Sequence, residues 1–77
     1  MNEADKQYEA VTYTINGLDK MAYFERLNDA DTWIKQRHEE YHKAGIEYAA
    51  VIYDQRNNRK RVAVIDRHFL LAGKDYR

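Results

Sequence analysis

Apolar and polar side chains alternate from residue 8 to residue 15, with Val11, Tyr13 and Ile15 on one parity and Thr12 and Thr14 on the other. A period of two describes a strand with one buried side. Asn16-Gly17 follows, a dipeptide suited to the positive φ angles of a type I′ hairpin turn, so the chain is expected to return as a strand to about Arg26. On that return Leu18, Ala22 and Phe24 share the buried parity. Residues 19–27 also admit a helix, because Leu18, Met21, Phe24 and Leu27 recur every three residues. The Asn-Gly turn and the Tyr23-Phe24 pair favour the strand.

The period then changes. Ala30, Trp33, Ile34, Arg37, Tyr41 and Ala44 line one face of a helix, and Thr32, Gln36, Glu39 and Lys43 line the opposite one. Asn28 and Asp29 offer capping side chains, Asp31 suits the first turn, and Gly45 stands where a left-handed C-terminal cap belongs. Residues 46–54 are apolar on both parities, with Tyr48, Ala50 and Ile52 against Ala49, Val51 and Tyr53, as in a central strand. A polar loop leads into a further strand over residues 60–66, through Val62, Val64 and Ile65. The last apolar cluster, residues 68–72, suits a helical turn, an edge strand or a dimer contact.

The predicted order is ββαββ, an α+β fold with one helix packed on a four-stranded, mostly antiparallel sheet. It forms a single domain over residues 1–77, with 1–6 and 74–77 expected to be mobile. One helix covers one face of such a sheet. The other face is expected to carry Thr12, Thr14 and several tyrosines, either solvated or used for self-association or a partner.

Composition narrows the function. Leu, Ile, Val and Phe supply only 15 of 77 residues, so seven Tyr, one Trp and two Met must complete the apolar core. The absence of cysteine removes disulfides and thiol chemistry, and suggests a cytoplasmic chain. No apolar run approaches the roughly 20 residues of a membrane span. With no serine, no cysteine and three scattered glycines, neither a serine triad nor a phosphate-cradling loop can be drawn, and the expectation is a protein that is not an enzyme and needs no cofactor.

Thirteen basic residues balance thirteen acidic ones, but unevenly: residues 1–47 hold 10 acids and 6 bases, residues 48–77 hold 3 acids and 7 bases. The basic half concentrates Arg56, Arg59, Lys60 and Arg61 at one hairpin. With Tyr48 and Tyr53 on the same hairpin, this 55–61 loop is the first candidate site. It suits docking to a protein surface, or phosphate contacts with bases stacked on the tyrosines if those rings face outward. Net neutrality disfavours bulk binding of nucleic acid. His38-Glu39-Glu40-Tyr41-His42 matches H-E-x-x-H, the helical spacing of zinc ligands with a general base between them. His38 and His42 are therefore metal candidates, with His68 or Glu47 as a third ligand, but no substrate lobe accompanies them. The leading expectation is a small binding or regulatory protein that acts through protein contacts, with a homodimer as one form of it. Its size is that of accessory or inhibitory proteins found in phages and mobile elements, an analogy of size alone.

Overall fold

A computed structural model describes residues 5–67 together with Leu70 and Leu71. The elements are β1 (Tyr8–Thr14), β2 (Gly17–Phe24), α1 (Leu27–Ala44), β3 (Ala49–Asp54) and β4 (Lys60–Ile65). They form one sheet in the order β2-β1-β3-β4, antiparallel at every pairing, with the helix on one face. The ββαββ order and the α+β class read from the sequence are those observed, and residues 19–24 are strand rather than helix.

The two faces of the sheet are divided differently from the simple alternation. Beneath the helix, Ala10, Ala50, Ile52 and Tyr48 pack against Ala30, Ile34 and Tyr41, with Tyr8, Phe24, Trp33, Ala63 and Ile65 at the margin. The small side chains Ala10, Ala30 and Ala50 are fully or almost fully buried there. The opposite face buries Val11, Tyr13, Ala49, Val51 and Tyr53, with Leu70 and Leu71 packed on it. Thr12 thus lies under the helix, not on an open face, and Ile15 is 84% exposed instead of buried. The helix takes the parity of Ala10 and Thr12, Leu70 and Leu71 pack on the parity of Val11 and Tyr13, and Ile15 stands in the turn beyond the end of β1.

A bulge corrects the second expectation about parity. Thr12 pairs with Lys20 but Tyr13 pairs with Leu18, so Asp19 is the extra residue of β2. The slip sends Leu18 to the face of Tyr13 while Ala22 and Phe24 stay on the helix side. It also turns the Asp19 carboxylate to the Tyr41 hydroxyl, 2.5 Å away, and Tyr41 meets the Thr12 hydroxyl at 2.6 Å.

The turns differ from the expected chemistry. Among the described non-glycine residues only Asn58 and Arg59 have positive φ, 56° and 54°. At the first hairpin Gly17 alone takes it, φ 101°, and the Asn16 N–H donates to the Thr14 hydroxyl, so the turn is not type I′. The helix starts at Leu27 with Arg26 in the capping position and no side-chain cap, ahead of Asn28 and Asp29. Gly45 closes it in the left-handed conformation as expected, its N–H on the His42 carbonyl.

Of the ends, Asp5 and Lys6 are tied to the β3–β4 loop. Gln55 donates to the Lys6 carbonyl at 2.8 Å and Arg56 to that of Asp5 at 3.3 Å. Residues 1–4, 74–77 and most of the 68–72 cluster lie outside the described residues. Leu70 and Leu71 are in a turn, and their N–H groups donate to the two oxygens of Asp66 at 2.7 and 2.8 Å. No helix among the described residues is long and apolar enough to cross a membrane.

Candidate functional site

The 55–61 loop is built on Asp54. Its side chain accepts the Arg56 N–H at 3.2 Å, its carbonyl accepts the Asn57 N–H, and the Lys60 N–H closes onto the Asn57 carbonyl at 3.1 Å. With Asn58 and Arg59 both left-handed, residues 57–60 form the tight I′ geometry that the sequence suggested for the other hairpin. Asn tolerates that conformation; Arg does so at a cost on the order of 1 kcal/mol.

What holds Arg59 there is visible. Its guanidinium donates to Glu9 Oε1 at 2.8 Å and lies 4.5 Å from the centroid of the Tyr53 ring. Glu9 is only 2% exposed, so the acidic side of this ion pair is shielded from solvent. Arg56 meets the Glu25 carboxylate at 3.3 Å. Two of the four loop cations are therefore engaged within the fold, and Lys60 and Arg61 have no acid in ion-pair reach among the described residues.

The two tyrosines do not flank the loop as outward rings. Tyr48 and Tyr53 are both buried, and on opposite faces. Tyr53 approaches the Tyr13 hydroxyl at 3.5 Å under Arg59. Tyr48 stacks on Tyr41 with centroids 4.8 Å apart, beneath the helix. Stacking on bases would require a face that packing already occupies.

β4 is the outer strand of the sheet on this side, and a second bulge shapes it. Ile52 pairs with Ala63 but Tyr53 pairs with Arg61, leaving Val62 as the extra residue. Ala63 and Ile65 face the helix side, whereas Val64 and Arg61 stand opposite Val51 and Tyr53 on the other face. Val62 and Val64 remain 40% and 50% exposed. The result is a short strip of valines beside Lys60 and Arg61.

The histidines of H-E-x-x-H stand on the opposite flank of β4. His38 Nδ1 is 2.7 Å from the Tyr48 hydroxyl, and the His42 ring stacks 6.0 Å away at 20°. Burial pushes the Tyr48 hydroxyl up from its ordinary pKa, and the charge of Arg67 pulls it the other way. Among the described residues no three His, Asp or Glu side chains gather within reach of one metal ion. His68, one of the candidate third ligands, lies outside them.

Sequence reasoning singled out Tyr48 on the one hand and the His38–His42 pair on the other, and did not bring them together with Arg67. Nothing in local spacing places them in one groove, because sheet order sets α1 and the end of β4 side by side. The Asp19–Tyr41–Thr12 group was missed for a similar reason: only the bulge at Asp19 makes it. Comparison with protein-family models, with curated proteins and with solved structures finds no match to this chain.

Proposed function

We propose that the protein is a non-enzymatic binding module, accessory or inhibitory in type, whose contact surface is the outer side of β4. The observation that carries this reading is the strip of Val62 and Val64, half exposed, next to Lys60 and Arg61, which have no acidic partner among the described residues. Half-exposed valines beside these two cations complement an apolar and acidic protein surface. The Val62 bulge breaks the regular edge, so side chains rather than a long added strand make the contact.

Arg61 and Val64 are the anchors of this surface. Tyr53 lies buried behind it, Tyr48 is under the helix on the other face, and Arg56 and Arg59 are paired with Glu25 and Glu9, which moves the centre of the contact away from the loop tip. The nucleic-acid reading is less well supported, since Arg56 and Arg59 already face carboxylates.

Affinity capture from the native host tests this with three proteins: wild type, the pair R61E and V64E together, and K43E on the helix. The surface is supported if one protein partner is retained by wild type and K43E and lost from the β4 variant. Equal retention by all three overturns it. Recovery of nucleic acid, released by salt, would favour the second reading, and a dimer mass in light scattering that the β4 variant abolishes would make the partner a second copy of this chain.

A further inference from the structure

Between α1 and the end of β4 lies a cavity of about 210 Å³, open to solvent on the side of His42, Ile46 and Arg67, and lined by these with His38, Tyr48 and Ile65. Its two isoleucines make an apolar wall. The other four side chains are hydrogen-bond donors or cations, and no carboxylate is among these lining residues. The helix end beside it is closed: the Gly45 and Ile46 N–H groups occupy the carbonyls of His42 and Tyr41.

The His38–Tyr48 pair always leaves a donor for a guest. If His38 is neutral with its proton on Nε2, Tyr48 donates to Nδ1 and the Nε2–H is free. If the proton is on Nδ1, that N–H donates to Tyr48 and the phenolic O–H is free. The imidazolium leaves both. Arg67 adds a permanent charge close enough to act on the Tyr48 hydroxyl.

The same arrangement weighs against a metal. Two imidazoles one helical turn apart satisfy half of a zinc site, but a guanidinium in the cavity repels a second cation and attracts an anion. Other charged groups stand farther out. Lys35 and Glu39 line the outward continuation of the groove, Lys35 in an ion pair with Asp31 at 3.1 Å, and Glu47 lies on the far side of His42 and Ile46.

We infer that this cavity is a binding site for a small organic oxyanion, its charged head held by Arg67, His42 and the His38–Tyr48 pair and its apolar body against Ile46 and Ile65. The site is separate from the β4 strip, and small-molecule probes test it whether or not that reading stands.

Benzoate and benzenesulfonate each carry one negative charge near neutral pH and share a ring, which makes them the probes. In titrations of the full chain followed by the ring signals of its histidines, at ionic strength fixed with sodium chloride, one or both produce saturable shifts at His38 and His42. R67Q lowers the affinity about tenfold, the scale of one lost charge-assisted contact. K43Q, outside the cavity, leaves it unchanged. Tighter benzoate identifies a carboxylate ligand; tighter benzenesulfonate, a tetrahedral head. The inference is overturned if chloride alone reproduces the shifts, if a folded R67Q binds as wild type does, or if zinc saturates the two rings one-to-one while neither anion binds.

Discussion

Tyr41 joins the helix to the sheet through a directed chain of hydrogen bonds. The Asp19 carboxylate can only accept, so Tyr41 donates to it, and Thr12 must then donate to the Tyr41 oxygen. Thr12 in turn accepts the Lys20 N–H at 3.2 Å. Ionising Tyr41 would put an anion in a buried place beside Asp19, so burial first and the Asp19 bond second raise its pKa to about 12. Because the folded value lies above the ordinary one near 10, the contribution to stability is complete below pH 10 and is lost as pH rises toward 12. Replacing Tyr41 with Phe removes the donor and leaves the fully buried Thr12 hydroxyl without its acceptor, at a cost of about 1–3 kcal/mol at neutral pH. Urea unfolding of Y41F across pH 7 to 12 checks both parts: lower stability at pH 7 and a flatter alkaline decline, with the part due to Tyr48 remaining. An unchanged alkaline profile would show that Tyr41 does not govern it.

At the level of elements, α1 is well ended and poorly begun. Gly45 satisfies the C-terminus, while Arg26 at the N-cap offers a cation to the positive end of the helix and no acceptor for its free N–H groups. R26S supplies that acceptor, and the expected gain is about 1 kcal/mol. A thermal melt should move up by about 4–8 °C for a domain of this size. No rise would mean that Arg26 makes a stabilising contact that the serine loses. Asn28 and Asp29, the expected caps, stand inside the first turn, because the helix begins at the exposed Leu27, three residues before Ala30 of its buried face. The strands show the same division between what is local and what is not. Alternation, the Asn16-Gly17 turn and the doubly apolar stretch around Val51 carry element type and order on their own. Which face of β1 meets the helix depends on β3 lying beside it, and on bulges at Asp19 and Val62 that no local pattern marks. The candidate site was legible only as residue types. Arg59 reads as a free cation until Glu9, fifty positions earlier, is seen beneath it.

For the molecule as a whole, the question posed by a thin aliphatic core is what covers the second face of the sheet. The helix serves only one, and a 77-residue chain has little apolar surface in reserve. Part of the answer is Leu71, 8% exposed and packed with Val11, Tyr13, Ala49, Val51 and Tyr53. Its position depends on Asp66, whose two oxygens take the N–H groups of Leu70 and Leu71 just beyond β4. If hydrogen bonds and packing form one device, removing either should release the other. L71A is then expected to cost about 2–3 kcal/mol, toward the lower end for a buried leucine because the site lies at the edge of the core. D66A is expected to cost about 1–2 kcal/mol through its two lost acceptors. The double variant should fall short of their sum by at least about 0.5 kcal/mol, the coupling of residues that share a structure. Urea unfolding of the four proteins gives the cycle directly. Strict additivity would separate the two contributions and leave Leu71 held on the sheet by its own burial.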